Sequence, residues 1–187
     1  MFSNLLKILF QWVGSWFKKP LEQEIKTMQT PNSPSVPSAW AIPEEPTETN
    51  TEKLYRIADV LAQLEEDITP EDLTEDEVAC VENLCEVINR VVEFPRLKYT
   101  PYLVTELKED PRFKGTLDCK EGYIIVNATE SGNGTVRGHC GVIGKGGKIM
   151  SGNSYNGKWE YNYTLDSWKQ NFRIEGGMVT WVFRLLD

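Results

Sequence analysis

His139 is the only histidine of the chain, and it stands beside Cys140 in "RGHCGVIGKGGKIMSGNS", residues 137 to 154. The other cysteines are Cys80, Cys85 and Cys119. Cysteine-based hydrolysis needs a thiolate, a base that takes or holds the thiol proton, and a third group that orients the base. Histidine suits the second role because its ring titrates near neutral pH. Spacing alone leaves two readings open, a catalytic base and an idle ring hydrogen-bonded within a strand.

Position along the chain separates the thiols. "TPEDLTEDEVACVENLCEVINRVVEF" predicts a helix opened by a capping box of Thr74 with Glu77 and stopped by Pro95, with Val78, Val81, Leu84, Cys85, Ile88 and Val91 along one side. Cys80 lies near the start of that helix, where free N–H groups and the helix dipole favour a thiolate. Cys85 lies deeper and belongs to the apolar stripe, which makes it a small core residue. Cys80 is therefore the candidate nucleophile. Glu77 and Glu82 oppose its ionisation unless His139, as an imidazolium, outweighs them. With Cys80 and Cys85 five apart and a single histidine, the chain shows no zinc-ligand spacing, so neither metal nor cofactor is expected. A domain of this size with a real core needs no disulfide framework, and the thiols are expected to be free.

The third group follows from a hairpin. If "KGG" at 145 to 147 is a three-residue loop with a left-handed glycine, Gly144 faces Lys148 and His139 falls opposite Asn153. Directly opposed residues share a face with Cβ atoms about 5 Å apart, so Asn153 would orient the ring. Alternation sends Cys140 to the other face, buried and silent. A loop of even length would undo this pairing. The same glycines do not spell a phosphate-binding loop. Asn127, Asn133 and Asn162 open Asn-x-Thr triplets that, without a secretory signal, need carry no sugar.

Three parts position these residues. Residues 1–19 hold Lys7, Lys18 and Lys19 and no acid, and their polar positions form one stripe on an otherwise apolar helix with Trp12 and Trp16. That pattern predicts a helix lying at a membrane surface. Packing on a partner or on the chain itself, and a cleaved signal, are the alternatives. Residues 20–50 are rich in proline and read as a tether. Residues 51–187 are the folded domain. There Leu54, Ile57, Ala58, Leu61 and Leu64 mark one helical face, "TPYLVTELKEDPRF" predicts another helix, and "GYIIVNA", "GHCGVIG", "GKIMSGNS", "KWEYNY" and "MVTWVFRLL" read as strands, with "TLDSWKQNFR" a helix or turn between the last two. Helices followed by a run of antiparallel strands give the class α+β. A net charge of −8 argues against nucleic acid as a partner.

"LYRIADVLAQLEEDITPEDLTEDEVACVENLCEVINRVV" and the later "GYIIVNATESGNGTVRGHCGVIGKGGKIMSGNSYNGKWEYNYTLDSWKQNFR" resemble phage-borne peptidoglycan hydrolase domains of the CHAP and NlpC type. The resemblance covers roughly residues 53 to 185, and its most specific pieces are "DEVACVE", "GHCGVIG" and "KIMSGNS" with "YTLDSW". It implies a papain-like cysteine peptidase or amidase, with N-terminal helices packed on a small antiparallel sheet. Cys80 matches the nucleophile, His139 the base and Asn153 the orienting residue. It also implies bacterial peptidoglycan as substrate, with the Cys80 backbone N–H stabilising the oxyanion. Cys140 departs from the family, where an aliphatic residue is usual, and Gly152 stands where a polar residue is frequent. The N-terminal helix and tether lie outside the resemblance and suggest membrane delivery or a virion context. A non-catalytic structural or wall-binding protein, and a holin-like membrane-disrupting protein, are the other functions the sequence allows.

Overall fold

A computed structural model describes residues 47–69, 79–129, 137–153 and 156–187. The chain divides into two units, Met1–Pro43 and Glu44–Asp187, and the described residues all belong to the second. The amphipathic helix expected over 1–19, most of the tether and the Thr74–Glu77 capping box lie outside them.

Helix α1 (Asn50–Leu64) starts at a capping box, where Thr49 Oγ1 accepts from the Glu52 N–H and the Glu52 carboxylate accepts from the Thr49 N–H. Its buried residues are Leu54, Ala58, Leu61 and Ala62. Leu64, expected on that face, is 65% exposed because the buried arc is centred between Leu54 and Ala58 and the left-handed Glu65 ends the helix there. Helix α2 (Ala79–Asn89) is buried on nearly every side, Glu82 and Asn83 included. Asn89 closes it by donating to the Phe94 carbonyl and accepting from the Phe94 N–H, ahead of Pro95. Helix α3 (Thr100–Glu109) carries Pro101 in its first turn, where no intrahelical N–H is lost.

Six antiparallel strands follow: β1 (Phe113–Thr116), β2 (Ile124–Asn127), β3 (His139–Ile143), β4 (Lys148–Gly152), β5 (Trp159–Thr164) and β6 (Thr180–Leu185), in the order β1-β6-β2-β3-β4-β5. The α+β class is the observed one. Strand β1, "FKGT", was not expected. It is a four-residue edge strand containing a glycine, and it buries only Phe113 fully, so no alternation marks it.

Both faces of the sheet are covered, which explains why β2, β3 and β4 read as nearly unbroken apolar runs. One face packs Val126, Cys140, Val142 and Met150 against Leu54, Leu84, Ile88 and Leu107 of the helices. The opposite face packs Ile125, Ile143, Ile149 and Val182 under Trp168 and Phe172. Those two aromatics come from α4 (Leu165–Trp168) and the π-helix that continues it (Lys169–Glu175). Each fully buried Leu or Ile stabilises the domain by about 1.5–3 kcal/mol.

The β3–β4 hairpin turns through a 3-10 loop at Lys145–Gly147, with Gly146 at φ 67° and Gly147 at φ 74°. The Gly144 N–H donates to the Lys148 carbonyl, and Val142 pairs with Met150 and Ile143 with Ile149. This is the register deduced from a three-residue loop.

Candidate active site

Cys80 is the second residue of α2, so its sulphur sits at the positive end of a buried helix. The Cα of Cys80 would lie 3.1 Å from a Cβ on Gly152, and Asn83, one turn on, would lie closer still. The start of α2 thus rests directly on the end of β4, and only a residue without a side chain fits beneath it. Gly152 is extended rather than left-handed, so its role is close approach, not conformation.

That placement brings Cys80 to the end of β3, where His139 and Cys140 leave the strand on opposite faces. Both reach its sulphur. The Cys80 thiol is held well below its usual range, chiefly by a hydrogen bond from the Cys140 thiol, then by the charge and hydrogen bond of His139 and by the Val81 N–H, which together outweigh burial. Cys140 is held well above its usual range by burial and by the Cys80 sulphur beside it. Its single proton has two acceptors, since Cys140 Sγ also lies 3.2 Å from the Cys80 carbonyl oxygen. The expectation that Cys140 is buried holds, and the expectation that it is silent does not. Side-chain alternation separates neighbours on a strand, but a helix end at the strand's terminus meets both faces.

The sequence set Asn153 beside the imidazole. His139 Nε2 instead lies 3.1 Å from Ser151 Oγ, which leaves Nδ1 for Cys80. The register carried outwards does put Asn153 across from His139, but Gly141 has no side chain, and the ring leans along the strand over it towards Ser151. A Cβ on Gly141 would come within 3.0 Å of Ser151 Cβ. Asn153 belongs to the turn into β5: its N–H donates to the Lys158 carbonyl and its amide to Glu160. Ser151 is fully buried and is itself held by Asn162, whose Nδ2 donates to both its hydroxyl and its carbonyl at 2.9 Å.

The hydroxyl of Ser151 suits both states of the ring. It accepts from Nε2–H of the imidazolium and also of the neutral ring left when Nδ1 gives up its proton. Around the ring stand Tyr163, Trp168 and Phe172, with centroids 5.4, 5.5 and 5.6 Å from it. Trp168 is fixed in turn by Asn127, which accepts from its indole N–H and donates to Thr180 Oγ1 and the Val179 carbonyl. Asn127 pairs directly across from His139 on β2. Buried completely, it has a structural part that its Asn-x-Thr triplet did not announce.

The remaining candidates fall away from this cluster. Burial pushes the Cys85 thiol up to about 12, so it stays protonated. Cys119 is exposed, with its thiol raised by partial burial and by Asp118. Glu82 does not oppose the thiolate as an unpaired charge. Its carboxylate takes both Nε and Nη2 of Arg96, at 2.9 and 2.6 Å. Trp159 is core, donating its indole N–H to the Ala58 carbonyl, and Tyr161 bonds Asp59 at the surface of α1. No group of three or more His, Cys, Asp or Glu side chains converges as a metal site would require, among the described residues. An open depression of about 520 Å³ beside Cys119, Ile143 and Leu165 lies at the far end of β3 from His139.

A thiolate-forming cysteine, an imidazole on its sulphur and a hydroxyl on the far ring nitrogen are the parts of a nucleophile, a base and its orienting group. Compared with known proteins, the sequence matches no family model and no curated protein.

Proposed function

We propose that this chain is a papain-like cysteine hydrolase that cleaves amide bonds in bacterial cell-wall peptides. The observation that carries the chemistry is the Cys80 sulphur at a helix start, bonded by His139, with Ser151 on the other ring nitrogen. The wall-peptide substrate rests on the resemblance of "DEVACVE", "GHCGVIG" and "KIMSGNS" to phage-borne peptidoglycan hydrolases. The same resemblance makes the chain a phage or prophage product acting in lysis or cell entry.

In this mechanism the Cys80 thiolate attacks the amide carbonyl. N–H groups of the first turn of α2, that of Cys80 among them, stabilise the oxyanion. His139 gives its proton to the leaving amine, and the acyl-enzyme is then opened by water that His139 deprotonates. Ser151 keeps the ring aligned through both transfers. Residues 1–19 deliver the domain to a membrane surface, and the tether sets its reach. No helix among the described residues is long and apolar enough to cross a membrane.

One observation favours a second reading. Cys80 is 4% exposed and His139 9%, a degree of closure that suits a wall-binding or virion protein with little turnover. Digestion of purified peptidoglycan separates the two. The hydrolase releases fragments with new amine and carboxyl termini, and Cys80→Ser, with an unchanged circular dichroism spectrum, releases none. Equal release by both proteins overturns the assignment of Cys80. Binding to the wall without release by the wild type establishes the second reading.

A further inference from the structure

We propose that Cys80 and Cys140 form a peroxide-responsive thiol pair that closes reversibly to a disulfide. Cys140 reaches α2 from β3, with its Sγ 3.2 Å from the Cys80 carbonyl oxygen and its thiol bonded to the Cys80 sulphur. No other two cysteines are so placed among the described residues, where Cys85 faces the backbone of Leu97 and Cys119 is exposed. The tight seat of Cys80 against Gly152 holds the two elements in this contact. None of this requires hydrolysis of any substrate, so the pair stands apart from the proposed function although it shares Cys80 with it.

The oxidant is a small hydroperoxide, hydrogen peroxide in the simplest case. Cys80 is 4% exposed and Cys140 fully buried, a setting that suits an oxidant little larger than water. The Cys80 thiolate attacks one peroxide oxygen, the O–O bond breaks, and hydroxide leaves, so sulphur is oxidised to a sulfenic acid. The Cys140 sulphur, losing its proton, then attacks the Cys80 sulphur; an S–S bond forms, the S–O bond breaks, and the departing hydroxide takes that proton away as water. Two thiols and one peroxide become one disulfide and two waters. The nucleophile is withdrawn until a dithiol reductant restores it, and Cys140 shields it from irreversible over-oxidation.

The test is mass spectrometry of the full chain after exposure to hydrogen peroxide. Expected is a loss of two hydrogens and, after tryptic digestion without reductant, a linked peptide whose fragments place the bond between Cys80 and Cys140, both reversed by dithiothreitol. In Cys140→Ser, peroxide should drive Cys80 to the sulfinic acid, which dithiothreitol does not reverse. Wild-type Cys80 carrying sulfinic acid beside a reduced Cys140, or a bond fixed on Cys85, overturns the proposal without any variant having to fold. A chain that forms the bond yet releases no wall fragment keeps the thiol pair and loses the hydrolase reading; the converse result loses the pair alone.

Discussion

The hydroxyl of Ser151 lies 3.1 Å from Nε2 of His139 and accepts, on its other side, from Nδ2 of Asn162. The orienting group is thus a neutral hydroxyl whose own position is set from β5. It accepts from the Nε2–H that the ring keeps before and after Nδ1 transfers its proton, without the negative charge by which a carboxylate would favour the imidazolium.

Ser151→Ala should therefore slow wall-fragment release about 3- to 10-fold, the worth of one hydrogen bond of about 1 kcal/mol. Asn153→Ala should cost less, because its amide is engaged with Glu160. Initial rates of both variants on the same purified peptidoglycan decide between the two residues; a larger loss at Asn153 would return the orienting role to it.

Cys140→Ala removes the thiol that bonds the Cys80 sulphur, the foremost cause of its low pKa. The pH profile of Cys80 alkylation should then move to higher pH. Cys140→Ser keeps a donor and should move it less. A profile unmoved in Cys140→Ala would show that His139 alone activates the thiol.

Gly152→Ala places a methyl 2.7 Å from Asn83 Nδ2 and 3.1 Å from the Cys80 Cα. Neither backbone nor the fully buried Asn83 gives way cheaply, so a loss of about 1–3 kcal/mol in urea unfolding is expected, together with slower Cys80 alkylation. Loss of stability with intact reactivity would mean that α2 can lift without disturbing its first turn.

Stability should depend on pH in two opposite senses. Cys80 has a lowered folded pKa, so its contribution grows as pH rises through that value and is complete above about 8.5, the unfolded value. Cys85, near 12 in the fold, ionises only in the unfolded chain above about 8.5. Stability should then fall by about 1.4 kcal/mol per pH unit for that thiol. Urea midpoints from about pH 9 to about pH 11 should show a shallower fall in Cys85→Val than in wild type.

Much of this architecture is readable from the residues, and the failures have physical causes. The apolar spacing of α1, the prolines bounding α2 and α3, and the glycines of the 145–147 loop carry their signals locally, so helices and hairpin register follow from them. Local signals also suffice for Cys80 as the helix-start thiol and for His139 on the first strand of that hairpin. Ser151 was missed because register fixes which backbones oppose, not which way a ring leans; the glycine at 141, two residues after the histidine and on the same face of the strand, is the signal that allowed it. Cys140 was misjudged because strand alternation says nothing about where a distant helix ends. Asn127 and Trp168 come from elements far apart in sequence, and nothing within either segment points to the other.

The sheet order has a consequence for how this site comes into being. Strand β6, synthesised after the other five of the sheet, inserts between β1 and β2, and Asn50 and Thr51 at the start of α1 hydrogen-bond the Leu186 and Leu185 carbonyls at its end. Until β6 arrives, β2 has an open edge and both cores lack a wall, since Val182 fills one and Phe183 the other. Cys80, His139 and Ser151 all leave the ribosome well before this strand, yet the scaffold that brings a helix start onto a strand end is complete only after it. The nascent chain therefore carries its reactive thiol as an ordinary one, and the thiolate is a property acquired only when β6 has docked.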